Sequence, residues 1–403
     1  MRESARAAEF RFERPELLER AERIAFVAGV IGVVASIIAV IVAPEAFLRS
    51  YLVAYMFCLG VTLGCLAILM VQHVVTAQWG FVVRRILEAG AMNTFFMALF
   101  FIPVLIGLPT LFVWARPEIV EGDKHIQRLA QYLNLPAFVG RAILYFVVWC
   151  VLAAMLTQWS RQQDEPQLAV FRERYQNLGG IGLLLYGFTM TFAAIDWVMS
   201  LDPHWHSTIY GFYFMAGQGL MGFAFALVIA AWLVRYRPLA DLISKEHVHD
   251  LGKLMFAFLI LWAYMAFSQG LIYWSGNLPN EITWYVDRTR GGWESVGLLL
   301  IVAHFALPFV LLLSQEFKRD ANKIALLALW IIVMRWVDLY WVIMPSFADT
   351  RGHMQFSWMN IVAAAALGGL WLAAFFHTLR RHPLVPLHDP MLEQILEKEH
   401  DGH

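Results

Sequence analysis

The chain is short of charge and of cysteine, and both shortages exclude functions. Only 15% of its 403 residues are Asp, Glu, Lys or Arg. The three cysteines, Cys58, Cys65 and Cys150, stand in apolar stretches with no CxxC or CxxCH among them. There is thus neither a c-type haem attachment site nor a cysteine-held iron–sulfur framework. No Walker A loop and no GxGxxG after a strand occurs, and no room remains for a sizeable soluble domain, which argues against ATP-driven and nicotinamide chemistry. The first 23 residues alternate Arg with Glu and lack an apolar core, so they do not read as a secretory signal. A soluble helix at the membrane surface is the expectation there.

What the chain has is hydrocarbon, with 60% of residues hydrophobic. A membrane span needs about 20 consecutive, mainly apolar residues. Ten such runs are present, at about 24–43, 50–74, 82–113, 136–159, 178–200, 207–234, 252–275, 293–315, 321–343 and 357–379. The expected fold is an all-α polytopic membrane protein of ten transmembrane helices. Uninterrupted runs exclude a closed β-barrel. The organisation is a terminal segment 1–23, a ten-helix domain 24–379 and a tail 380–403. With the N-terminus inside, Lys and Arg favour the inner segments by about three to one, a positive-inside signal that places both termini in the cytoplasm.

A weak repeat appears at a spacing of four helices. Span two opens on Tyr51 and carries Gly60 and Gly64 among aromatics, and span six opens on Tyr210 and carries Gly217, Gly219 and Gly222. Small residues of this kind allow close helix packing. Spans two to five and six to nine are expected as two four-helix bundles, with spans one and ten outside them. Chance resemblance between Gly-rich helices is the competing explanation.

Ionisable residues inside spans are costly and mark function by default. At about 1.5 Å rise per residue they sort by depth. His73, Arg84, Arg85, Glu88, Lys253, Gln315, Glu316 and His377 lie near the inner face, and Tyr186, Tyr264 and His304 near the middle. Asp196, Asp202, His204, His206, Glu294, Arg335 and Asp338 lie in the outer third. Two polar layers with a sparse centre suggest half-channels for protons, and each group also has a plainer reading. Arg84 and Glu88 have the spacing of an interfacial ion pair. His73 and His377 sit at span ends, where head groups account for most histidines, and Glu294 can snorkel to water. Arg335 and Asp338 share a helix face, with Asp196 at similar depth: the arginine would keep one carboxylate ionised and leave the other to exchange a proton. The alternative is a salt bridge that fixes helix register. Asp202, His204 and His206 follow Asp196 in a short turn that could be the outer mouth of a path.

The stretch from His249 to Trp293, HDLGKLMFAFLILWAYMAFSQGLIYWSGNLPNEITWYVDRTRGGW, is the most distinctive. With AAIDWVMSLDPHW at 193–205, LGCLAILMVQH and WGFVVRRILEA around spans two and three, and MRWVDLYWVIMP at 334–345, it resembles the ActF subunits of alternative complex III, over nearly the whole chain. That assembly is a bacterial quinol:cytochrome c (or electron-carrier) oxidoreductase. The resemblance implies a ten-helix protein related to NrfD/PsrC-like subunits, multi-pass in the bacterial inner membrane. It implies no redox cofactor in this chain, with haem c, iron–sulfur clusters and quinol in partner subunits: an ActC-like quinol-site subunit, an iron–sulfur subunit and multihaem cytochromes c. It also implies support of proton translocation, for which the candidates here are Asp196, Asp202, His204, His304, Arg335, Asp338, Tyr264, Glu88, Lys253 and His73. No metal site and no nucleic-acid partner is expected. A quinol-binding NrfD-like subunit, a stand-alone secondary transporter and a b-haem protein using His73 with His377 are the alternatives.

Overall fold

The computed structural model describes residues 10, 12–162, 164, 172–279, 281–387 and 389–401. Among them, ten helices are long and apolar enough to cross a membrane. They are α1 (Pro15–Val42), α2 (Pro44–Val75), α3 (Gln78–Ile106), α4 (Leu135–Gln162), α5 (Glu173–Leu201), α6 (Tyr210–Leu233), α7 (Lys245–Gly276), α8 (Trp293–Leu313), α9 (Ala321–Ser346) and α10 (Trp358–Arg380). No described residue is in a strand. The chain is an all-α polytopic membrane protein. Ten crossings bring both chain ends to one side, called here the terminal face.

Part of the expected terminal segment, residues 1–9 and 11, lies outside the described residues. From Pro15 onward it is not a separate surface helix but the first turns of α1, because proline suits a first helical turn and nothing interrupts the run to Val42. The tail likewise carries a helix, Pro390–Asp401.

Adjacency follows the repeat. In one bundle α2 packs on α3 and α5, and α4 on α5; in the other α6 packs on α7 and α9, and α8 on α9. Helices α2 and α6 meet at the centre, each with 89% of its apolar window buried. No hydrophobic force drives helices together in hydrocarbon, so close backbone approach must do so. A Cβ on Gly64 would stand 2.1 Å from the Gln218 carbonyl oxygen, and one on Gly222 would stand 2.6 Å from the Gly64 carbonyl carbon. Outside the bundles α1 lies along α10, where Gly29 faces Gly369 and Gly32 faces Ala366.

Two spans that look uninterrupted in sequence are irregular. Beyond Met92 the half of α3 farther from the terminal face runs as short helices, Thr94–Leu99 and Ile102–Ile106, followed by Leu108–Leu111, with Pro103, Gly107 and Pro109 at or beside the breaks. In α8 the segment Leu300–Ala306 is a π-helix. Pro308 lacks the N–H that an α-helix would close onto the carbonyl of residue 304, so widening the turns before it relieves that gap.

Candidate functional site

Two carboxylates buried within spans stand near the face opposite the termini, one in each bundle. Asp196 lies near the end of α5 and Asp338 in the last turns of α9; the interval from Asp196 to Pro203 equals that from Asp338 to Pro345, and each span closes in a 3₁₀ turn, Met199–Leu201 and Met344–Ser346. The two are placed as counterparts. Their cations are not.

Asp338 is fully enclosed. Its own helix supplies Arg335, hydrogen-bonded through Nη1, and α6 supplies Tyr213, whose hydroxyl donates to the two carboxylate oxygens at 2.6 and 2.7 Å. The guanidinium fits because residue 217 is glycine: a Cβ there would lie 2.2 Å from Arg335 Nη2. Asp196 is also fully buried, but its arginine is Arg141 of α4, donating from Nε at 2.8 Å and from Nη2 at 2.9 Å. Tyr145, one turn along α4, adds a hydroxyl at 2.8 Å. Arg141 also lies over the Tyr132 ring at 3.8 Å and donates to the Tyr132 carbonyl. Such bidentate, charge-assisted pairs are the strong form of hydrogen bond.

The sequence grouped Asp196 with Arg335 and Asp338, and the structure separates them into two sites without a shared contact among the described residues. Arg141 was the missing partner. Its position within an apolar run was the available signal.

His304 lies in the π-helical segment and is fully buried, and neither ring nitrogen has a hydrogen-bond partner among the described residues. Its ring meets Trp262 edge-on at 4.2 Å, and Trp262 also faces the Arg335 guanidinium at 5.7 Å. An unpaired buried imidazole costs stability, so it calls for a water or a task. Nearby in depth, Tyr186 donates to Gln218, whose Nε2 reaches the Met190 sulfur at 3.1 Å.

At the terminal face Arg85, not Arg84, holds Glu88, at 2.9 Å, and also holds Asp164 at 2.6 Å. Arg84 turns to Asp389 of the tail at 2.7 Å. The expected Arg84–Glu88 pair therefore does not form. His73 is buried and stacks on Tyr175 at 4.6 Å, while His377 pairs with Glu22 at 2.9 Å. Lys253 is exposed and pairs with Asp250, and Tyr264 is 60% exposed on the outside of α7. The structure brings neither to the buried groups.

On the opposite face His204 bonds Asp123 at 2.9 Å and stacks on His125 at 5.1 Å, tying the α5–α6 turn to the α3–α4 loop. Asp202 faces Arg351 at 3.9 Å, and Glu294 accepts from the backbone of Gly292. Sequence reading also missed Arg288, which is buried over the Trp284 ring at 3.5 Å and donates to the Val342 carbonyl and Ser346. Burial pulls its pKa down to about 10, against the opposing pull of Tyr210, Asp202 and Asp287. It stays cationic at neutral pH, and only the Trp284 four residues earlier hinted at it. No group of three or more His, Cys, Asp or Glu side chains among the described residues is arranged to hold a metal ion. Compared with known proteins, the chain matches no family model and no curated sequence.

Proposed function

We propose that this chain is a membrane subunit, without a redox centre of its own, of a bacterial quinol-oxidising complex of the alternative complex III kind, and that it carries protons between aqueous faces. The observation that carries the reading is the Asp338 site: a carboxylate enclosed at membrane depth, held by Arg335 and Tyr213, one aromatic ring away from the unpaired His304. Ionisable groups at that depth are expensive and seldom retained without use. In this reading Asp338 and Asp196 exchange protons with the opposite face, Arg335 and Arg141 hold the two carboxyl groups in position, and His304 relays towards the inner cluster of Glu88 and His73. The resemblance of the stretches at 193–205, 249–293 and 334–345 to ActF subunits is what supports this choice of complex. Its partners are then an ActC-like quinol-site subunit, an iron–sulfur subunit and multihaem cytochromes c.

Copurification tests the assembly: a tagged chain is expected to bring haem- and iron–sulfur-containing subunits with it, and a chain that purifies alone and takes up solute overturns the reading. Proton yield tests the path. Asp338→Asn in the assembled complex is expected to lower protons moved per quinol oxidised, and an unchanged yield removes Asp338 from the mechanism.

A further inference from the structure

After α10 the chain turns back across the terminal ends of α3 and α4. Leu384, Val385 and Leu387 are buried, as are Leu392 and Ile395 of the tail helix Pro390–Asp401. Two polar contacts pin this strap. Asp389 accepts from Arg84 Nη1 at 2.7 Å, and the Leu387 N–H donates to Asp164 Oδ1 at 3.2 Å. Asp164 is the same carboxylate that Arg85 holds together with Glu88. The tail is therefore tied directly to the inner ion-pair chain.

Beneath the strap is a small cavity lined by Arg85, Glu88, Thr157, Arg161 and His382. Its volume is about 10 Å³, at the lower limit of roughly 10–15 Å³ needed to hold one water. Arg85 Nε, Glu88 Oε1, Thr157 Oγ1, Ser160 Oγ and Arg161 Nε have no partner among the described residues. Buried polar atoms lacking a protein partner are normally satisfied by ordered water. Arg85 and Arg161 balance Glu88 and Asp164, so the site has no excess charge to select an ion, and its mix of donors and acceptors suits water. Tyr175, which stacks on His73, lies within electrostatic reach of Arg84, Arg85, Glu88 and Asp389. His73 Nε2 also has no partner among the described residues.

We infer that residues 381–387 and the tail helix form a lid over a hydrated chamber built by Arg85, Glu88, Thr157 and Arg161, latched by the Asp389–Arg84 pair, and that release of the latch admits solvent. The lid stands on its own contacts; that protons use this chamber to reach Glu88 follows only if the proposed proton path holds.

The test is accessibility in the full chain, in sealed vesicles of either orientation. A Thr157→Cys side chain is expected to resist a membrane-impermeant maleimide from both faces. Adding Asp389→Asn, or Arg84→Gln from the other side of the latch, is expected to speed its labelling about tenfold, the scale of one lost charge-assisted hydrogen bond, and from the terminal face alone. Equal labelling with and without the latch, whether fast or slow, overturns the lid. Hydrogen exchange on the unsubstituted chain decides the matter should neither latch variant assemble: the amides of 381–395 are expected to open separately from α3, and exchange as slow as that of α3 counts against the inference. Should the lid open on cue while proton yield per quinol is unchanged, the lid stands and the proton path falls.

Discussion

Arg335 and Asp338 are three residues apart on α9, so their pairing could be read from the sequence. Asp196 could not be read the same way, because its arginine is 55 positions away on α4 and only the packing of α4 on α5 brings them together. The Arg335–Asp338 pair is enclosed on both sides, whereas Arg141 is partly exposed, and breaking a buried pair leaves an uncompensated charge, which costs about 3–5 kcal/mol. Arg335→Met is expected to lower the melting temperature of the purified protein sharply. Adding Asp338→Leu is expected to recover most of the loss, since an apolar replacement of both partners is close to neutral, without restoring proton yield. His304 predicts the opposite sign. Its two ring nitrogens lack partners, and each such atom costs roughly 1–3 kcal/mol, so His304→Phe is expected to melt no earlier than the parent. Under the proposed function it should still lower proton yield, a separation of stability from activity that thermal unfolding and vesicle acidification measure together.

The crossing of α2 and α6 puts two glycines where any side chain would meet backbone. Gly64→Ala has no room to relax, and overpacking costs about 1–3 kcal/mol or more, so reduced stability and poor assembly are expected. Gly140→Ala is the control: nothing lies within 4 Å of its added Cβ, and its melting temperature should not fall. A pH prediction belongs to the lid. Burial, with Arg161, Arg85 and Arg381 nearby, lowers the His382 pKa from 6.5 to about 4, and Glu88 lines the same cavity. With the folded value depressed, the closed state binds fewer protons than the open one between those pH values, so closure is fully favoured above about pH 6.5 and weakens as pH falls towards 4. Relative to the intrinsic rate, which itself falls with pH, the protection of the amides in 381–387 should drop on acidification from pH 7 to pH 5, and His382→Gln should flatten that dependence. Because His382 is partly exposed, solvent screening keeps the effect modest.

Across the whole molecule, the expected span boundaries agree with the ten helices to within a few residues at most ends, because hydrocarbon thickness and backbone satisfaction leave little choice about where a helix can run. The largest difference is at α1, which starts at Pro15 rather than near residue 24. The asymmetry of Lys and Arg predicts that both termini face the cytoplasm. Reporters fused at either end should be active only if they function in the cytoplasm, and a periplasm-active reporter at the C-terminus would reverse the assignment. Two readings from depth alone did not lead to the sites. Tyr264 and Lys253 have suitable depth, yet their helix faces point outward, and depth along a helix says nothing about rotation around it.

The sequence determined the class of the protein, its ten spans and the shortlist of buried ions, since cost in hydrocarbon depends mainly on residue type and run length. The bundle repeat was legible as paired glycines in spans two and six, and the Asp338 site as a spacing on one helix. Tertiary structure alone decided that Asp196 belongs to Arg141, that Arg85 joins Asp164 to its helix neighbour Glu88, that His304 has no hydrogen-bond partner among the described residues, and that the tail closes over the inner cluster. Arg141–Asp196, Arg85–Asp164 and the tail contacts join segments far apart in the chain, and such contacts are set by helix rotation and close approach, which no local spacing encodes.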